Sequence, residues 1–309
     1  MKAVILCPGQ GAQRVGMGKD LADRFPGARA VFQVVDDALG FKLSDLMWGG
    51  PESDLTLTHN AQPAILAHSL AVSAVVKPRV QPVAGAGHSL GEYSAYGVAG
   101  AMALADLARL VRLRGELMLD AGQKRAGTMT VVLGLDGAKV VELCKEASTV
   151  AEVVVAANLN EPSQTVISGD PPAVERAGDL AKAAGAKRVL PIKVSGAFHS
   201  PLMAPAQLGL HEALKKVVMK DPEFPVVNNV SAKPVADAGS ARSLLDQQLV
   251  SPVRWVECMQ TLAGIGPGAT YVEMGPGNVL SGMARRAVPG ATVITLGTAD
   301  EVTKFLEAA

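Results

Sequence analysis

Gly87-His88-Ser89-Leu90-Gly91 decides how the rest of the chain is read. It fits Gly-x-Ser-x-Gly. A small apolar run, Pro82-Val83-Ala84-Gly85-Ala86, precedes it, and a helix-compatible run from Glu92 to Ala99 follows. That is the setting of a nucleophile elbow, in which a buried strand turns sharply into a helix. Flanking glycines suit such a turn because it crowds any Cβ. The turn lifts the serine hydroxyl above the sheet at a helix N-terminus, where free N–H groups and the helix dipole favour developing negative charge. The pentapeptide alone also fits a glycine-rich turn with an incidental serine, so the assignment leans on the flanking runs.

Other apolar runs fit the parallel sheet that an elbow implies. Lys2 to Cys7 reads as a buried strand entering the loop Pro8-Gly9-Gln10-Gly11-Ala12-Gln13. That loop lacks the Gly-Lys-Ser/Thr and Gly-x-Gly-x-x-Gly patterns of phosphate cradles, so it is read as offering backbone N–H groups to a site. Residues 19–48 carry helical spacing, and Ala64 to Val76 reads as a further helix. Pro225 to Val230, Thr270 to Met274 and Thr292 to Leu296 read as more parallel strands, with Gly275-Pro276-Gly277 as the loop after one of them. Between these, Gly122 to Gly127 reads as a linker. The pattern then becomes β-α-β-β-α-β: strands over 128–133, 153–158, 164–168 and 187–193, helices over 138–147 and 172–184. The expected fold is α/β, a hydrolase-like parallel-sheet large domain (1–126 and 195–309) with an inserted ferredoxin-like small subdomain (127–194).

Composition narrows the function. The chain has 309 residues, 49% hydrophobic and 19% charged, enough for a substantial core. Lys+Arg and Asp+Glu are both 29, so no net charge draws it to nucleic acid or an anionic membrane. Aromatics at 4% argue against base-stacking platforms. Cys7, Cys144 and Cys258 lie far apart without metal-ligand spacing and read as reduced thiols of a cytoplasmic protein. No apolar run is long enough to span a bilayer, and no secretory pattern opens the chain.

A serine nucleophile needs a base. His88 adjoins the serine but points elsewhere on the elbow, His68 sits mid-helix among apolar residues, and His211 lies in an amphipathic run. His59, in a polar loop near a helix start, stays open as an alternative. His199 lies at an element boundary C-terminal to the serine, the order of hydrolases, and is the preferred base. Pro201 after Ser200 marks a helix start there, with Ser200 as N-cap. No acid between Ser89 and His199 completes a triad. In the helix from Leu104 to Leu119, Arg114 falls on the apolar stripe of Leu107, Leu110, Val111, Leu117 and Met118. An inward guanidinium requires a partner. A buried carboxylate or snorkelling would satisfy it structurally, and a substrate carboxylate gripped bidentately would do so functionally.

Several stretches together resemble malonyl-CoA:acyl carrier protein transacylase, the family that loads malonyl groups in fatty acid synthesis, and its polyketide synthase relatives. They are Pro8 to Gln13, Gln62-Pro63-Ala64, Gly87 to Ala95, Arg112-Leu113-Arg114-Gly115 with Met118, Phe198 to Met203, Val227-Asn228-Asn229-Val230, Gln248-Leu249 with Pro252-Val253-Arg254-Trp255, and Glu273 to Leu280. They run from end to end in the family's order. Phe198-His199-Ser200 is closer to polyketide acyltransferases than to the Ser-His-Cys sequence of many free-standing bacterial members. The resemblance implies Ser89 as nucleophile, His199 as base, and the N–H groups of Gln10 and Leu90 as oxyanion hole. It implies that the Gln248 main-chain carbonyl orients the imidazole, which explains the missing acid. Arg114 would bind the malonyl carboxylate, with Gln62, Met118 and Phe198 in substrate-binding positions, Gln62 lining the pocket. Malonyl-CoA and acyl carrier protein are the implied partners, the phosphopantetheine arriving on the carrier. Neither a metal nor a cofactor is expected, and the chain is expected to be a monomer. Carrier proteins are acidic, so Lys124-Arg125, Lys182, Lys187-Arg188 and Lys193 are candidates for a docking patch. A serine thioesterase, a non-catalytic scaffold, and a malonyl transferase of a polyketide or malonate decarboxylase system are the alternatives.

Overall fold

The computed structural model describes residues 1–308. Its strands are Lys2–Cys7 (β1), Gln81–Gly87 (β2), Thr128–Leu133 (β3), Val154–Glu161 (β4), Gln164–Gly169 (β5), Arg188–Ile192 (β6), Val226–Val227 (β7), Pro234–Val235 (β8), Thr270–Met274 (β9) and Val293–Leu296 (β10). They form a six-stranded sheet in the order β10-β9-β1-β2-β7-β8 and a four-stranded sheet in the order β4-β5-β3-β6.

The first sheet is parallel apart from the β7–β8 pair. Helices cover both its faces, so β1 is apolar throughout rather than alternating. Ala3, Ile5 and Cys7 point into the core beneath the helices 26–39, 58–76 and 104–124. Val4 and Leu6 point into a second core with Trp255, Met259 and Leu262 of helix Trp255–Ile265. The expected strand over 225–230 shrinks to two residues, because Asn228 turns the chain through bonds to Ser231 and Lys233. The antiparallel β8 that follows was not expected; two residues carry no periodicity.

The second sheet is antiparallel. Helices Gly137–Ala147 and Pro171–Ala183 pack one of its faces through Val140, Leu143, Val174 and Ala177 against Val132, Val154 and Ile167. The expected linker over 122–127 is shorter than the sequence suggests, since helix Leu104–Lys124 runs through Gly122. That glycine is there for packing: a Cβ on it would stand 1.8 Å from the Ser195 carbonyl oxygen. No helix among the described residues is long and apolar enough to cross a membrane. Cys7, Cys144 and Cys258 are buried free thiols.

Candidate active site

Strand β2 ends at Gly87 and helix Leu90–Val98 begins one residue past Ser89. Ser89 has φ 53° and ψ −108°, a conformation that costs a non-glycine residue on the order of 1–3 kcal/mol. Close approach dictates the flanking glycines. A Cβ on Gly87 would meet the Gly91 carbonyl at 1.9 Å, and one on Gly91 would meet the Cys7 carbonyl oxygen at 2.0 Å. The elbow therefore sits against the end of β1, beside the loop that carries Gln10.

Ser89 Oγ is 2.7 Å from His199 Nε2. His199 Nδ1 donates to two main-chain carbonyls, Gln248 O at 3.0 Å and Ser251 O at 3.2 Å. Carbonyls only accept, so the ring proton is fixed on Nδ1 and the Nε2 lone pair faces the serine. Burial first, then the nearby Arg114 cation, pushes the imidazole down to about 3, leaving it neutral at ordinary pH.

Arg114 is fully buried and makes no ion pair among the described residues. Its Nη1 donates to Gln62 Oε1 at 2.6 Å, and its Nη2 to Gln248 Oε1 at 3.0 Å and Ser89 Oγ at 3.1 Å. Its Nε has no partner, and the guanidinium carbon lies 5.2 Å from the Tyr93 ring centroid. Burial pulls its pKa down. The two structural partners that the sequence left open are thus both absent: the cation neither snorkels to water nor meets a carboxylate.

These groups open into a cavity of about 680 Å³ lined by Gln10, Leu90, Met118, Phe198 and His199 among others. Met129, Val166 and Ile192 of the second sheet form its apolar wall. Gln62 does not line it. That residue is fully buried behind Arg114 and donates from Nε2 to Met118 Sδ at 3.2 Å. The amide of Ser89 itself is engaged, donating to Asn229 Oδ1 at 2.8 Å.

Among the described residues no other histidine hydrogen-bonds Ser89. His68 is buried with Nε2 on Gly297 O, His88 lines the cavity and bonds Asn160 Oδ1 beside it, and His211 pairs with Asp246. His59 follows the wall residue Thr58 but does not itself line the cavity, and its Nδ1 is buried without a partner. Of the basic residues, Lys124, Arg125 and Lys182 are committed to Asp120, Asp170 and Asp179, while Lys193 is exposed at the cavity wall. Sequence reasoning missed Glu92, Asn229, Ser251 and Tyr93. Only Glu92 carried a local signal, a carboxylate one turn after the serine on a helix with seven buried residues.

Residues 4–304 match the family model of the acyl transferase domain. The chain is 44% identical over 286 residues to the malonyl CoA-acyl carrier protein transacylase of Bacillus subtilis, covering 92% of this chain and 90% of the relative. The chain belongs to this family of acyl transferases. A solved acyl carrier protein S-malonyltransferase from Vibrio cholerae superposes with a TM-score of 0.94 at 39% identity, covering 98% of this chain and 99% of that one. A malonyl-transacylase solved in complex with its type II polyketide synthase acyl carrier protein superposes at 0.95 with 41% identity, covering 100% of each chain.

Proposed function

We propose that this chain transfers malonyl from malonyl-CoA to the phosphopantetheine thiol of acyl carrier protein through a malonyl ester on Ser89, supplying extender units for fatty acid synthesis. The observation that carries this is the unpaired guanidinium of Arg114, 3.1 Å from a hydroxyl that is itself 2.7 Å from a neutral imidazole. Malonyl places its carboxylate one methylene from the thioester carbon, so a fork beside the nucleophile suits it. His199 Nε2 takes the Ser89 proton as Oγ attacks, and the CoA thiolate leaves with that proton. The N–H groups of Gln10 and Leu90 hold the oxyanion. The carrier thiol then reverses the sequence, giving ping-pong kinetics with no group beyond the two substrates.

Gln248 and Ser251 supply dipoles where a triad has a carboxylate, so the imidazolium formed in the transition state is only weakly stabilised by its own partners. The malonyl carboxylate offsets this by cancelling the Arg114 charge beside it. Phe198 lies at the cavity wall and its ring crowds an α-methyl group, so methylmalonyl is disfavoured; comparable turnover of methylmalonyl-CoA would refute that. All the groups named come from one chain, in keeping with a monomer, and the buried free thiols suit a reducing cytoplasm.

The same reading takes residues 127–194 as a ferredoxin-like subdomain inserted in a hydrolase-like large domain. Its support is the antiparallel order β4-β5-β3-β6 with two helices on one face. Intact-mass analysis after brief exposure to malonyl-CoA tests the function. A Ser89-dependent malonyl adduct that discharges onto carrier is expected. An adduct that decays to malonate at one rate with or without carrier would mean a thioesterase.

A further inference from the structure

The mechanism above gives no task to Glu92, yet this carboxylate is buried without exposure, one helical turn from the nucleophile. Its Oε2 accepts from Gln248 Nε2 at 2.7 Å and from the Asn229 amide at 3.0 Å, while Oε1 has no partner. Both of those partners hold the backbone of Ser89. Gln248 Nε2 donates to Ser89 O at 3.1 Å, and Asn229 Oδ1 accepts from Ser89 N at 2.8 Å. Asn229 Nδ2 also donates to Gly87 O at 2.8 Å.

We propose that Glu92 is a positioning residue that anchors the NH2 end of the Gln248 amide, and through it holds Arg114 in place without neutralising it. A side-chain amide has a donor end and an acceptor end; Arg114, which only donates, and Ser89 O, which only accepts, favour one orientation of Gln248, and Glu92 reinforces it with the shortest of the three bonds, 2.7 Å. A carboxylate oxygen only accepts, so the NH2 end turns to Glu92 and Oε1 turns to Arg114 Nη2 at 3.0 Å. The reverse arrangement would set NH2 against guanidinium, donor to donor. One amide thus separates the Glu92 carboxyl, which burial pushes up to about 7, from the guanidinium. Arg114 is held by three neutral oxygens, those of Gln62, Gln248 and Ser89, and its charge remains for an incoming carboxylate. A direct Glu92–Arg114 pair would be satisfied already and would not select a diacid.

This rests on the transacylase reading, since its readout is preference for malonyl over acetyl. Single-turnover acylation of Ser89 by malonyl-CoA and by acetyl-CoA is measured by intact mass for wild type, Glu92→Leu and Glu92→Gln. Leucine removes the acceptor, and the malonyl-to-acetyl rate ratio is expected to fall about tenfold or more. Glutamine sets its own amide oxygen where Oε2 stands and leaves its NH2 at the unpartnered position, so it should hold the ratio within about threefold of wild type. Should Glu92→Leu not fold, the swap Glu92→Gln with Gln248→Glu carries the test. The carboxylate then faces Arg114 directly, and the ratio is expected to fall by about tenfold. A merely structural role predicts a lower Tm with both substrates slowed in step. That result, or a Glu92→Gln ratio as low as that of Glu92→Leu, overturns the proposal. Wild type that loads no malonyl overturns the transacylase reading and this proposal with it. Wild type that loads malonyl, with Glu92→Leu (or the double swap) keeping its ratio, overturns this proposal alone.

Discussion

Arg114→Met separates binding chemistry from fold. Methionine keeps an unbranched stem of similar reach and removes the charge and every donor. On the proposed chemistry the lost contact is a desolvated carboxylate–guanidinium pair. Breaking one costs about 3–5 kcal/mol, which is roughly 10²- to 5 × 10³-fold in the rate of Ser89 acylation by malonyl-CoA. Stability should move far less. The change removes a fully buried cation with no ion-pair partner, which relieves a desolvation cost of several kcal/mol. Against that, Gln62 Oε1 and Gln248 Oε1 lose their donor, at about 1–3 kcal/mol each. The terms oppose one another, and Tm should stay within about 4 °C of wild type. Acetyl-CoA behaves differently. Its acyl group makes no ion pair, and removal of the cation near His199 frees the imidazole to accept a proton, so acetylation should be unchanged or faster. The assay is single-turnover acylation followed by intact mass with each thioester, alongside a thermal melt. Malonylation and acetylation that fall together would refute the reasoning, because Arg114 would then be supporting the nucleophile and not selecting the acid.

Three further expectations test the local physics. Ser89→Ala and Ser89→Gly both remove the hydroxyl, but only glycine relaxes φ 53°, ψ −108°, so the glycine variant should be the more stable by about 1 kcal/mol in denaturant titration. The opposite order would mean that the elbow stores no strain. Gly122→Ala replaces a mid-helix glycine by a better helix former, normally a gain of about 1 kcal/mol, yet the Ser195 carbonyl 1.8 Å from the new Cβ should reverse the sign and lower Tm. Burial holds the His68 imidazole down to about 4 in the folded chain against the ordinary histidine value of 6.5, so the unfolded chain binds the extra proton between those values and stability falls as pH drops from about 6.5 towards 4. His68→Gln should flatten that slope by up to about 1.4 kcal/mol per pH unit, and an unchanged slope would show that His68 contributes none of it.

What the sequence made legible is what has a local signature. The elbow is written in two glycines and the runs on either side. The inward direction of Arg114 follows from helical phase, and the position of His199 follows from Ser200-Pro201, where the Ser200 hydroxyl does accept from Leu202 N. The six-stranded sheet was visible wherever a strand runs four residues or more, and β8 escaped because two residues have no period. The arrangement behind the nucleophile was not legible for a different reason. Glu92 meets Asn229 across 137 residues and Gln248 across 156, and helical phase says nothing about a partner that distant. Ser251 contributes a main-chain carbonyl, a group every residue has. Gly122 was read as a break because its neighbours Gln123-Lys124-Arg125 look solvated; the carbonyl that demands a glycine there belongs to a segment more than seventy residues away.

The geometry bears on where discrimination arises. Arg114 Nη2 and His199 Nε2 contact the same serine oxygen, at 3.1 and 2.7 Å. A proton gained by the imidazole therefore appears beside a cation in a buried site, where like charges repel strongly. Burial and this repulsion keep His199 neutral and also make it a reluctant acceptor. A substrate carboxylate on Arg114 removes the repulsion at the moment when the base must charge. A substrate without one leaves the guanidinium unpaired and also meets a base that resists protonation. The second effect acts on the proton-transfer step and not on binding, so on the proposed chemistry preference for a diacid resides partly in kcat. It follows that a neutral thioester bound as tightly as malonyl-CoA, through contacts made by its pantetheine arm alone, would still acylate Ser89 slowly.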